Sequence, residues 1–161
     1  MNHPDREKNI VSWWRVILTL LSVILSAGLL EPSRAKSPAG NEARVREFVA
    51  AFNARNVDAM LNLADENVQW LSIHEAKVTV ETEGKDALRA SMVRYFSDCP
   101  SCKSTLEWVR EAGSRLTAME RASWTAKSGP KSQAGLSIYE FRDGKILRVY
   151  YFPADPGSPN R

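Results

Sequence analysis

Apolar residues recur at intervals of three and four in the segment after residue 40, and at intervals of two near the end of the chain. Val45, Phe48, Val49 and Phe52 fall on one side of a helix over Asn41–Arg55. Asn56-Val57-Asp58 restarts a second short helix, with Asp58 as its candidate N-cap and Met60, Leu61 and Leu63 inside. Asn67–His74 predicts a strand with Val68, Trp70, Ser72 and His74 on one face, and Lys77–Thr82, rich in Val and Thr, a second. Gly84-Lys85-Asp86 leads into a third helix, Ala87–Phe96, carrying Leu88, Met92, Tyr95 and Phe96. Beyond Lys103 the period becomes two. Ser104–Glu111, Arg115–Lys127, Ser132–Arg142 and Lys145–Phe152 predict four strands, separated by Ala112-Gly113-Ser114, Ser128-Gly129-Pro130 and the hairpin turn Asp143-Gly144. Helices ahead of an antiparallel meander make an α+β domain.

The N-terminus follows a different pattern. The apolar run Val16–Leu30 comes after Arg6, Lys8 and Arg15, and it is shorter than the roughly 20 residues that span a bilayer core. Small residues, Ser33 and Ala35, frame a cut after Ala35. Together these predict a secretory signal peptide over residues 1–35 and an exported domain, periplasmic or secreted. The alternative is an uncleaved membrane anchor holding the domain outside the cytoplasm. Counting back to Ile10 lengthens the run, but Arg15 interrupts it, and a charge near the bilayer centre is costly. Residues 36–41 are then a linker, 42–153 one domain, and 154–161 a Pro/Gly-bearing flexible tail.

Composition narrows the partners. The 22 Lys and Arg against 19 Asp and Glu are interspersed, net +3, without the basic stripe that tracks a phosphate backbone, so nucleic acid is not expected. The two cysteines, Cys99 and Cys102, stand in the spacing Cys-Pro-Ser-Cys. In an oxidising compartment they can form a structural disulfide; free thiols and a redox pair are the alternatives. Cys99 follows the run Ala87–Phe96, near a helix C-terminus where the dipole disfavours a thiolate. With no second cysteine pair and only His74 beyond the leader, neither a metal nor a cofactor is expected.

Strand parity selects candidate site residues. Along Arg115–Lys127 one face carries Leu116, Ala118, Glu120, Ala122, Trp124 and Ala126. Glu120 is the ionisable group on that face. A carboxyl among apolar neighbours tends to have a raised pKa, suited to acid–base work; the plainer reading is a salt bridge to Arg110 or Arg148. An imidazole suits acid–base work, and His74 could face Glu120 across a cavity, or simply end an exposed strand. Trp70, Tyr95, Trp108, Trp124 and Tyr139 are candidate lining for a flat apolar ligand, although a small domain also needs large side chains to fill its core. Among the other strand carboxylates, parity groups Glu140 with Leu136 and Ile138, and Glu107 with Val109 and Glu111. In the last strand, Ile146, Tyr150 and Phe152 alternate with Leu147, Val149 and Tyr151, so both faces are apolar and both should be covered.

The phrases from Phe48-Val49-Ala50-Ala51-Phe52-Asn53-Ala54-Arg55-Asn56-Val57-Asp58-Ala59-Met60 through Leu63-Ala64-Asp65-Glu66-Asn67-Val68 and Gly84-Lys85-Asp86-Ala87-Leu88 resemble the SnoaL-like branch of the nuclear-transport-factor-2-like (NTF2-like) superfamily. The closing Tyr139-Glu140-Phe141-Arg142-Asp143-Gly144-Lys145-Ile146 resembles its final hairpin. The resemblance covers about Glu42 to Phe152. It implies three N-terminal helices packed on a strongly curved antiparallel or mixed sheet, forming a cone with a cavity. It also implies a homodimer through the back of the sheet. The fold hosts isomerases, cyclases, hydrolases, dehydratases and non-catalytic binders. The isomerase pattern of a Tyr, a base Asp and a donor Asp is absent, because Phe48, Trp70-Leu71-Ser72, and Ser137 or Ile138 stand at those places. The resemblance therefore points to a binder of a small apolar or aromatic molecule. The alternatives are an enzyme using Glu120 and His74, or a protein-interaction module that uses the sheet face.

Overall fold

In the computed structural model, residues 40–153 are described. The signal segment, residues 36–39 of the linker and the tail expected from the sequence lie outside them. The first helix, α1 (Asn41–Asn53), buries Val45, Phe48, Val49 and Ala51, the face its three-and-four spacing dictates. It stops where Asn53 turns its side chain onto the sheet: Nδ2 donates to the Ser104 carbonyl at 2.8 Å, and Oδ1 accepts from the Ser104 amide at 2.9 Å. Arg55, at φ 57°, reverses the chain.

Asn56, not Asp58, caps α2 (Val57–Leu63), its Oδ1 accepting from the Ala59 amide at 3.0 Å. Asp58 sits inside the first turn, where a carboxylate favours the helix dipole, and pairs with Arg89 at 2.7 Å. From α2 the chain passes directly into β1 (Ala64–His74), then turns at Glu75 into β2 (Lys77–Glu83). Gly84, at φ 81°, opens α3 (Lys85–Asp98). The strands β3 (Lys103–Ala112), β4 (Arg115–Ala126), β5 (Gly129–Arg142) and β6 (Lys145–Pro153) complete the domain.

The meander forms as expected, and β1 extends it. The six-stranded sheet runs β2-β1-β6-β5-β4-β3, with β1 parallel to β6 and every other pair antiparallel. This is the α+β cone, with a mixed curved sheet beneath three helices. The helices cover the inner face over a core that includes Val45, Phe48, Met60, Leu116, Tyr139, Ile146 and Val149. A smaller cluster joins Leu61, Ala64, Val68 and Leu88, and Trp70 and Met92 pack against both. Truncating such a buried side chain as Leu88 to Ala costs about 2–5 kcal/mol.

Register shifts occur at four places in the sheet, and three of them bear on the parity read from sequence. In β3, Leu106 opposes Glu120 while Trp108 opposes Met119, so Glu107 is an extra residue. Val109 and Glu111 therefore share the inner side with Ala118 and Leu116, whereas Glu107 faces outward to pair with Arg121 at 2.5 Å. In β6 the shift at Leu147 moves Ile146 to the inner face with Val149 and Tyr151, leaving Tyr150 and Phe152 outside with Arg148. In the β1–β2 pair, Trp70 opposes Thr82 and Leu71 opposes Val80, so Glu81 is extra.

Candidate functional site

Between the inner face and the helices lies a cavity of about 320 Å³. Its sheet wall is built from Trp70 on β1, Glu81 and Thr82 on β2, Lys103 and Ser104 on β3, Glu120 and Ala122 on β4, and Tyr151 on β6. Val49 and Phe52 of α1 close one side, and Leu88, Ser91, Met92 and Tyr95 of α3 the other. Phe52 and Tyr95 meet across the two helices, ring centroids 5.8 Å apart.

Glu120 is held from two directions. Tyr139 donates its hydroxyl to Oε1 at 2.6 Å, and Ser104 donates to Oε2 at 3.0 Å. Neither salt bridge considered from sequence forms. Arg148 pairs with Glu140 at 3.1 Å on the outer face, and the Arg110 guanidinium donates to the carbonyl of Val109. Tyr139 itself is 1% exposed, with its ring edge against Phe48. Burial, reinforced by the neighbouring Glu120 charge, pushes its phenol well above the usual value, so it remains a donor.

Tyr151 reaches the same place from β6. Gly135, cross-strand to Glu120, has no side chain, and the Tyr151 phenol lies over it; a Cβ there would come within 2.7 Å of the ring. Burial raises the Tyr151 pKa, with the Glu120 and Tyr95 charges adding to it, and burial raises that of Tyr95. Lys103 directs its ammonium to the Asn53 carbonyl at 2.7 Å, and Glu81 accepts from the Ser72 hydroxyl at 2.6 Å.

The residues singled out from sequence separate into two groups. Glu120, Trp70 and Tyr95 line the cavity. Tyr139 belongs to the core and touches the site only through its hydroxyl. Trp124 shares the face of Glu120 and Ala122, yet stands farther along β4 opposite Lys131 and outside the lining. Trp108 is 39% exposed on the outer face, because the Glu107 bulge reverses its direction. His74 does not meet Glu120: it is exposed at the tip of the β1–β2 hairpin, opposite Lys77. Ser104, Glu81, Lys103 and Tyr151 were not among the expected site residues. The bulge at Glu81 hid one of them, and only the register of β5 on β6 brings Tyr151 over Gly135. The glycine inside an otherwise regular strand was the available signal, since such a glycine marks a close approach.

Cys99 caps the C-terminus of α3 and is bonded to Cys102. This short loop sits between two parts of the lining, Tyr95 before it and Lys103 and Ser104 after it. Ser101 holds it to β4 by accepting from the Thr125 amide at 2.9 Å. Among the described residues, no group of three or more His, Cys, Asp or Glu side chains is gathered as a metal ion would require.

The sequence over residues 45–149 matches the SnoaL-like domain. The chain belongs to the SnoaL-like domain family. Solved structures of NTF2-like fold agree with this. Bal32a from a soil-derived mobile gene cassette is 22% identical with a TM-score of 0.63, covering 71% of this chain and 89% of its own. An NTF2-like protein of unknown function from Burkholderia pseudomallei is 18% identical with a TM-score of 0.60, covering 71% and 90%. TerC, co-crystallised with polyporic acid, is 15% identical with a TM-score of 0.60, covering 71% and 91%. No curated protein matches the chain in sequence. At these identities the likeness of this SnoaL-like domain to the solved structures is one of fold.

Proposed function

We propose that this SnoaL-like domain binds a small apolar or aromatic molecule in its cavity, oriented by Glu120. The observation that carries the reading is a carboxylate already fixed by Tyr139 and Ser104 in the wall of a cavity of about 320 Å³. Small-molecule sites combine an apolar lining with a few fixed polar groups, and Val49, Phe52, Trp70, Leu88, Met92 and Ala122 supply the apolar part. A carboxylate has about four acceptor positions, so two donors leave capacity for a ligand. TerC taken with polyporic acid supports the reading at the level of fold.

The test is a titration of intrinsic tryptophan fluorescence with phenethyl alcohol, on the wild type and on Ala122→Phe, which fills the cavity from β4. Binding by the wild type that the filled variant loses supports the proposal. Equal binding by both places the ligand elsewhere and contradicts it.

A catalytic reading is favoured by the two phenols, Tyr95 and Tyr151, that line the cavity with Glu120. In it the carboxylate takes a proton from the bound molecule and a phenol supplies one. Glu120→Gln separates the two readings, since it would end turnover of a substrate while the filled cavity of Ala122→Phe would end binding.

Export and pairing belong to the same proposal. The run Val16–Leu30 with a cut after Ala35 supports export, and the Cys99–Cys102 bond suits an oxidising compartment. The outer face of the sheet supports a homodimer: Val78 and Val80 are 58% and 51% exposed there, and Leu136, Ile138, Tyr150 and Phe152 lie on the same side.

A further inference from the structure

Resting on the binding reading above, we infer that the cavity is built for an organic ammonium ion, a small aromatic or alkyl amine held between carboxylates and ring faces. Two carboxylates line it, Glu81 and Glu120. The one cation of the lining among the described residues, Lys103, turns its ammonium to the carbonyl of Asn53 at the end of α1. Among the described residues, every hydrogen bond that reaches the two carboxylates comes from a neutral hydroxyl: Ser72 to Glu81, and Ser104 and Tyr139 to Glu120. Glu120 stands part-buried in the wall and Glu81 exposed at the rim, and among the described residues no guanidinium or ammonium pairs with either carboxylate. A charged group in such surroundings gains from an opposite charge arriving with the ligand.

The rest of the lining suits the same guest. Phe52, Trp70, Tyr95 and Tyr151 contribute four aromatic rings, and aromatic faces attract organic cations through their quadrupoles. Gly135 keeps one of these rings beside the carboxylate, since any Cβ at that position would lie 2.7 Å from the Tyr151 ring. A carboxylate ligand would meet Glu81 and Glu120 with like charge. A neutral alcohol would gain the hydrogen bond to Glu120 but not the charge.

Calorimetric titration with three probes of one frame, phenethylamine, phenethyl alcohol and phenylacetate, tests this directly. The full chain is used as wild type, Glu120→Gln and Glu81→Gln. The expected result is that the amine binds the wild type about tenfold or more tighter than the alcohol, as an added ion pair in a screened site provides, and that phenylacetate binds weakest. Each Gln variant should narrow the gap between amine and alcohol, and the Glu81→Gln result stands by itself if Glu120→Gln does not fold. Equal binding of amine and alcohol, or tighter binding of phenylacetate, overturns the ammonium assignment and leaves the cavity reading standing. Failure of all three probes to bind overturns both.

Discussion

The hydroxyl of Tyr139 and the carboxylate of Glu120 meet at 2.6 Å, joining a residue of the closed core to one that lines the cavity. Tyr139→Phe keeps the ring in the core and removes the donor. Leaving the partly buried carboxylate with one fewer hydrogen bond should cost about 1–3 kcal/mol, read from the urea midpoint. Ser104→Ala, which removes the longer 3.0 Å bond from a half-buried hydroxyl, should cost less. A larger loss for Ser104→Ala would contradict this ranking.

Gly135 and Tyr151 form a matched pair. Gly135→Ala forces the Tyr151 phenol off the β5 backbone and into the cavity. Overpacking of this kind typically costs about 1–3 kcal/mol. The expected outcome is a folded protein by circular dichroism that binds cavity probes more weakly. The double substitution Gly135→Ala with Tyr151→Leu relieves the clash and should recover stability; no recovery would mean that the alanine is resisted by something other than this ring.

The Cys99–Cys102 bond closes a very short loop, for which loop entropy gives about 2 kcal/mol. Reduction should therefore lower Tm measurably without unfolding the domain at room temperature. Because the loop links Tyr95 on α3 to Lys103 and Ser104 on β3, probe binding should weaken in parallel. Unchanged Tm on complete reduction would show that the bond holds nothing in place.

Acid should erode the outer face first at Glu140. Burial alone would raise its pKa, but hydrogen bonds from Arg148, Arg115 and Tyr150 outweigh this and hold it below the ordinary 4.5. A carboxylate depressed in the folded chain adds stability that is complete above its unfolded pKa and drains away as pH falls through the folded value. Asp65, lowered by Arg142 and the Asn67 amide, behaves likewise from its ordinary 3.8. The Tm advantage of the wild type over Glu140→Gln should be full at pH 7 and shrink below about pH 4.5. An advantage that grew on acidification would have the wrong sign.

The outer face offers a test of pairing. Val80→Lys places a charge at the centre of the exposed apolar strip on β2, and sedimentation should find the wild type dimeric and the variant monomeric at micromolar concentration. A monomeric wild type would remove the homodimer from the proposal.

Much of the fold could be read from the chain because its signals are local and redundant. The three-and-four spacing of Val45, Phe48, Val49 and Phe52, the Asp143-Gly144 turn and the two-residue period after Lys103 each fix one element. Bulges are where this reading ended. A single extra residue at Glu81, Glu107 or Leu147 reverses the sense of everything beyond it, and none of the three carries a local signature. Trp108, a candidate for the lining as an aromatic, stands exposed on the outer face as a result, and Glu81 lines the cavity. Glu120 was legible since β4 pairs with β5 without interruption from Arg115 to Ala126. His74 was drawn in by its chemistry alone; its place at a hairpin tip follows from the left-handed backbone of Glu75, which few residue types announce.

The most direct measurement is native mass spectrometry of the chain purified from its own cells without dialysis, beside Ala122→Phe prepared in the same way. The wild type should retain a small molecule, and the filled variant should arrive bare. The same added mass on both proteins would put the ligand outside the cavity and contradict the binding reading.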